Sequence, residues 1–304
     1  MTIRKNPGKV KKLLYLSIYL VTLASCGDTS DDGTVNTKTG NTDPPVLGNQ
    51  LPETGYKAPD SYSGYILTWS DEFDGSRLNP DNWNYEIGNI DPFGNIGWGN
   101  NELQLYRSGN VSVNDGYLTI EAREESSGSY TSGRINTRDK QEYQYGRIDV
   151  RAALPNQRGM WPAIWMLGEN HLESGWPICG EIDIMEAFIS GPETANQIKS
   201  NAFWGNTFPA PNAPSPPYKL SSGDFSDEWH VFSLDWDENT LKFFVDGKQH
   251  YELIINAELG AHFRNKFFFI MNVAVGGNPV PSPDASTILP QRMFIDYIRV
   301  YQKN

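Results

Sequence analysis

The sequence is poor in residues that staple, chelate or span. Its 304 residues include two cysteines, Cys26 and Cys179, and four histidines. Two thiols supply no disulfide framework once one of them is otherwise engaged, and no His/Cys constellation suggests zinc. Basic side chains are in deficit: 25 Lys and Arg stand against 37 Asp and Glu, a formal charge of −12. That balance excludes nucleic acid as a partner. It also disfavours a strongly anionic glycan, unless a local basic pocket around Arg134 or Arg138 overrules it. The apolar stretch 13–23 is shorter than the roughly 20 residues a transmembrane helix needs. No long segment carries a helical period, and no internal repeat is visible.

What the chain does have is an unusual cluster of acid. Residues 180–188 read Gly-Glu-Ile-Asp-Ile-Met-Glu-Ala-Phe, with three carboxylates in six positions among apolar neighbours. Ile182, Ile184, Met185 and Phe188 say that the segment packs against something, and a buried carboxylate costs several kcal/mol unless paired or hydrogen-bonded. Simple alternation puts Glu181 and Asp183 on one face and Glu186 on the other. A β-bulge at Ile184 or Met185 would return Glu186 to the face of the first two. Two carboxyl groups with a third between them suit glycosidic hydrolysis, in which one attacks the anomeric carbon and the other protonates the leaving oxygen. The retaining mechanism wants that pair roughly 5–5.5 Å apart. Four effective positions on a flat strand span roughly 13 Å at Cα, so a curved strand is expected. Cys179, two residues before Glu181, reads as a small apolar packing residue, since no histidine sits in a recognisable pairing motif.

The acidic segment resembles the active-site signature of glycoside hydrolase family 16 in its longer form, Glu-x-Asp-x-x-Glu. Further segments are similar to bacterial laminarinases of that family: 98–104 (Trp-Gly-Asn-Asn-Glu-Leu-Gln), 130–135 (Tyr-Thr-Ser-Gly-Arg-Ile) and 145–151 (Tyr-Gly-Arg-Ile-Asp-Val-Arg). So are 159–168 (Gly-Met-Trp-Pro-Ala-Ile-Trp-Met-Leu-Gly), 272–278 (Asn-Val-Ala-Val-Gly-Gly-Asn) and 295–301 (Ile-Asp-Tyr-Ile-Arg-Val-Tyr). They run in family order over nearly the whole globular part. The resemblance implies a retaining endo-β-glycosidase, with Glu181 as nucleophile, Glu186 as acid/base and Asp183 tuning Glu181. The substrate it implies first is a β-1,3-glucan. One departure weakens that: where laminarinases carry a histidine in a Thr-x-His-aromatic context, the stretch 200–205 reads Ser-Asn-Ala-Phe-Trp-Gly and places Phe203. An endo-β-galactosidase acting on mucin-type O-glycans or another galactan is therefore the alternative. A non-catalytic glycan-binding lipoprotein is the alternative of another class, although a binding module gains nothing from three clustered carboxylates.

Residues 1–25 read as a lipoprotein signal peptide, with basic Arg4, Lys5, Lys9, Lys11 and Lys12 ahead of the apolar stretch and Leu-Ala-Ser-Cys at 23–26. The last four resemble a lipobox, making Cys26 the lipidated residue and leaving Cys179 without a partner. Loss of five basic residues from −12 takes the charge to −17. The acidic run after Cys26 resembles the export signal of Bacteroidetes surface lipoproteins. The expected location is thus the cell envelope, lipid-anchored to the outer membrane and surface-exposed, with the lipid as the only membrane contact. Residues 26–60 are expected to form the attachment site and a flexible linker, being rich in Gly, Ser, Thr, Asp, Asn and Pro.

Residues 61–304 are expected to form one catalytic domain. Alternating runs recur at 116–123, 146–153, 229–236, 241–245, 267–275 and 294–301, and Asp237-Glu-Asn and Asp246-Gly247 signal hairpins. An all-β, antiparallel β-sandwich follows; that it is a jelly roll of the concanavalin A type is implied by the resemblance. Sugars are bound by aromatic faces with polar groups reading hydroxyls. With 9 Trp and 15 Tyr, the chain can furnish both core and cleft. Trp98, Trp161, Trp165, Trp176 and Trp204 are the cleft candidates, with Asn101 and Arg134 as hydroxyl contacts. No cofactor is required; the resemblance implies a structural calcium, for which Glu72 and Asp296 loosely match. A monomer is expected.

Overall fold

Period-2 alternation along Tyr117–Ser126 sends Leu118, Ile120 and Ala122 inward, while Thr119, Glu121 and Arg123 stay half-buried on the other side. The same rule builds most of the fold. The computed structural model describes residues 48–304; the expected signal peptide, Cys26 and the first part of the linker lie outside them. Two sheets stack face to face. The first runs in the order Lys248–Ile254, Thr240–Val245, His230–Trp236, Gly146–Ala153, Gln291–Lys303, Tyr117–Ser126, Ser129–Ser132 and Gln104–Tyr106. Tyr65–Asp71 also pairs with Gln291–Lys303, and Val111–Asn114 with Tyr117–Ser126. The second runs Tyr218–Lys219, Gln197–Phe203, Glu181–Glu186, Met160–Gly168, Phe267–Val275, Arg134–Asn136 and Asn84–Tyr85, with Glu142–Tyr143 also on Phe267–Val275. All named pairings are antiparallel but one, Gln104–Tyr106 with Ser129–Ser132. The architecture is a β-sandwich of the jelly-roll class.

Between the sheets lies one core. Leu118, Ile120, Ile148, Val150, Phe232, Leu234 and Ile295 meet Met160, Ile164, Met166, Ile182, Phe269, Met271 and Val273 there. Each such burial stabilises by about 1.5–3 kcal/mol. The hairpins fall where turn residues announce them. Asp237 Oδ1 accepts from the amides of Asn239 and Thr240. Asp246 and Gly247 both take positive φ, 51° and 75°, as a two-residue hairpin turn demands.

Residues 48–60 correct the expected linker. Asn49 donates to the carbonyls of Leu154 and Arg292 and accepts from the Arg292 amide. Gly55 bridges to Trp229, the Trp229 indole donates to Pro52 O at 2.9 Å, and Arg151 Nε donates to Tyr56 O at 2.6 Å. These bonds seat the segment on the face of the first sheet turned away from the core. Composition hid this, because the groups engaged are mostly backbone carbonyls.

Candidate active site

Gly180 starts the acidic strand at φ +82°, where a Cβ would come within 2.9 Å of His262 O and 3.0 Å of the Phe267 ring. From there Glu181 pairs with Leu167 and Phe203, and Asp183 with Trp165 and Asn201. Glu186 then pairs with Ala163 and Lys199. Three steps along the acidic strand thus match two on either neighbour, so one residue is extra. Ile184 and Met185 both enter the core, at 2% and 0% exposure, and the bulge between Asp183 and Glu186 turns Glu186 to the face of Glu181 and Asp183.

Around the three carboxyls the structure places donors unevenly. The Trp161 indole N–H donates to Glu186 Oε1 at 3.0 Å, and the Lys199 ammonium lies near enough to favour its charge. Trp176 and Asp183 hydrogen-bond Glu181, and Arg134 adds positive potential. Asp183 Oδ2 is buried with no protein donor; the carboxyl's hydrogen-bond partner is Glu181. Burial, then mutual repulsion, pushes Asp183 well above the usual carboxylate range. Burial first and the Glu186 charge second push Glu181 up to about 8, and burial pushes Glu186 up to about 7. Glu181 and Asp183 share a hydrogen bond and titrate as a pair. The proton that their burial demands belongs on Asp183, which has only Glu181 to donate to. Glu181, with donors from Trp176 and Asp183, is the member whose charge is supported. Burial likewise favours the protonated form of Glu186.

The other candidates divide. Trp161 and Trp165 line the same face, Trp165 donating to Asn272 Oδ1 at 2.8 Å. Trp176 borders Glu181, its ring 5.7 Å from that of Phe203. Phe203 itself stands opposite Glu181, on the cleft side. Asn101 lies exposed at the rim, its amide donating to Asn278 at 2.8 Å. Arg134 differs from the expected hydroxyl contact: its guanidinium is 4.3 Å from the Trp98 ring and 4.9 Å from Trp165, and it is paired to Glu86. It is a buried cation in an aromatic cage, and Trp98 is one wall of that cage. Trp204 is a correction. Because Phe203 faces the cleft, the next residue turns inward, and Trp204 packs against Phe263 and the core.

Glu72 and Asp296 do not fit a calcium site. Glu72 is held bidentately by Arg299 at 2.9 and 2.8 Å, and Asp296 by Arg151 at 2.6 Å. No group of three or more His, Cys, Asp or Glu able to hold a metal occurs among the described residues. Cys179 is buried against Leu167, Phe268 and Ile270, its thiol pushed up to about 12 by burial and then by Glu181. That is a packing residue, as expected.

A polar chain behind the cleft escaped the sequence reading. Asn272 Nδ2 donates to the Tyr106 hydroxyl at 3.1 Å, which donates to Glu102 at 3.1 Å; Gln104 and Asn100 also donate to Glu102. Glu102 and Asn272 lie inside two of the segments quoted above, which was signal enough to find them.

A β-sandwich bearing a carboxyl triad on one bulged strand, flanked by tryptophans, is the scaffold of a carboxylate-based glycosidase. Residues 99–298 match the sequence pattern of glycosyl hydrolases family 16, and the chain belongs to that family. It is 38% identical to glucan endo-1,3-beta-glucosidase A1 of Niallia circulans over 86% of this chain, spanning 41% of that longer protein. It is 36% identical to the beta-glucanase of Rhodothermus marinus, over 82% of this chain and 89% of that one. Among solved structures, the catalytic domain of an endo-1,3-beta-glucanase (laminarinase) from Thermotoga petrophila RKU-1 superposes with a TM-score of 0.72 at 43% identity. The match covers 79% of this chain and 98% of that one.

Proposed function

We propose that the protein is a retaining endo-β-1,3-glucanase. The observation that carries this is the bulge, which gathers Glu181, Asp183 and Glu186 on one face of the sheet. In the first step Glu181 attacks the anomeric carbon while Glu186 gives its proton to the departing oxygen, so a glycosyl-carboxylate bond forms as the glycosidic bond breaks. Asp183 keeps its own proton and donates a hydrogen bond with it to Glu181 until that charge is consumed. In the second step Glu186, now a base, takes a proton from water, which displaces Glu181. Glu181→Ala is expected to abolish turnover. Glu186→Ala is expected to retain glycosylation with activated leaving groups and to be rescued by azide, which needs no general base. Proton NMR of the first-formed wild-type product should show retained configuration; inversion there would sink the double displacement.

Phe203 supports a second reading. It faces the cleft opposite Glu181, at the place where the glucan pattern has histidine, and so offers an apolar face instead of a hydrogen bond. An endo-β-galactosidase acting on mucin-type O-glycans fits that change. Product analysis on laminarin, mixed-linkage glucan, agarose and mucin O-glycans decides between the two, and a wild type that only binds them would favour the lectin-like alternative.

The location we propose is the envelope, with Cys26 lipidated and the cleft presented at the cell surface. The basic run, the short apolar stretch and Leu-Ala-Ser-Cys support it. Metabolic labelling with a fatty-acid analogue should mark the wild type and not Cys26→Ala; an unlabelled, soluble wild type overturns it.

A further inference from the structure

The aromatic side chains beside Glu181 do not end at Trp176. After Phe203 the chain doubles back: Trp204 N donates to Pro211 O at 3.1 Å, Ala213 N to Ala202 O at 3.0 Å and Ser215 N to Ser200 O at 2.8 Å. These bonds anchor both ends of the 205–211 excursion to the edge of the strand paired with Glu181–Glu186. At its tip Phe208 is 86% exposed. A lone exposed apolar ring needs no explanation, but this one is not alone. Its centroid is 6.4 Å from that of Trp176 at an interplanar angle of 63°. Trp176 in turn meets Phe203 and hydrogen-bonds Glu181. An unbroken aromatic line therefore leads from the carboxylate outward to the loop tip. No charged residue occurs from 203 to 218, so the wall presents ring faces and neutral polar groups only.

We infer that Phe208, with Trp176, forms an added sugar-binding position that stacks on the apolar face of a neutral hexose ring of the same glycan, beyond the residues flanking the cleaved bond. The stretch is suited to a sugar and not to an anionic unit, because it offers no cation to a sulfate or carboxylate. Continuity with the carboxyl triad identifies the occupant as substrate. This inference rests on the glycosidase reading above. Its location follows from the sheet order: Gln197–Phe203 lies on one side of the acidic strand, and the cage of Arg134 and Trp98 lies on the other. A chain laid across the sheet reaches Phe208 only at one end.

The test is a length series of neutral oligosaccharides from whichever panel glycan the wild type cleaves, run on wild type, Phe208→Ala and Phe208→Tyr. For Phe208→Ala, KM is expected to rise about tenfold, the worth of one stacked ring, once the chain is long enough to reach the loop. kcat should stay within about twofold, and Phe208→Tyr should restore KM. A KM for Phe208→Ala that equals the wild type's at every length overturns the inference, as does a rise of equal size in the shortest cleavable substrate. A wild type that cleaves no member of the panel fails the glycosidase reading itself, a result distinct from either.

Discussion

Trp161 acts on the acid/base candidate through one atom. Its indole N–H favours the charged form of Glu186, as does Lys199, while burial favours the neutral form and wins, leaving the group at about 7. If Glu186 must supply a proton, activity is full below that value and falls as pH rises through it. Trp161→Phe keeps an aromatic ring near Phe188 but removes the N–H, so the charged form loses a donor and the pKa rises further. The alkaline limb of the kcat/KM profile should move to higher pH by about one unit, the size of a charge-assisted hydrogen bond. Lys199→Met should move it the same way, by less. An alkaline limb that stays put or moves down in Trp161→Phe would falsify the placing of the working proton on Glu186.

At the scale of the element, the acidic strand depends on what precedes it. Gly180 holds a left-handed φ, and its missing Cβ leaves room for His262 O, so Gly180→Ala meets both strain and a backbone contact. It should lower stability by about 1–3 kcal/mol, read from the urea midpoint. Because the change shifts Glu181 against Phe203, activity should also fall. An unchanged midpoint would mean that the strand entry has slack. This strand was legible because three carboxylates among apolar residues could share a face only if one residue was extra. Its neighbour was harder. Nothing in the composition around Phe203 and Trp204 says which ring faces the sugar and which the core; only the pairing of Phe203 with Glu181 decides it. Arg134 read as a surface hydrogen-bonder because its cage is assembled from Trp98, Trp165 and Glu86, on three separate stretches of the chain. Glu72 and Asp296 looked like calcium ligands for the same reason. Their arginine partners lie 227 and 145 positions away, beyond what local pattern reveals.

Across the whole molecule, the two faces of the sandwich carry different work. The carboxyl triad lies on the outer face of the second sheet, while the chain enters at Gly48 against Pro290 and runs to residue 60 over the outer face of the first. Among the described residues, the entry segment and the carboxyl triad therefore lie on opposite faces of the sandwich. The entry segment is also structural. A chain beginning at residue 61 would strip Trp229, 6% exposed, of Pro52 O and Arg151, 5% exposed, of Tyr56 O. It would also lose the Asn49 bonds to Leu154 and Arg292 and the packing of Ala58 on Val231 and Tyr297. Water would reach the uncovered groups and recover part of this, so the expected loss relative to a chain beginning at 48 is about 2–5 kcal/mol. It should appear as a lower urea midpoint with kcat/KM retained at low temperature, since no removed residue touches the second sheet's cleft. Asn49→Ala alone should reproduce part of the shift. Coincident unfolding curves for the two chains would return residues 48–60 to the role of a linker.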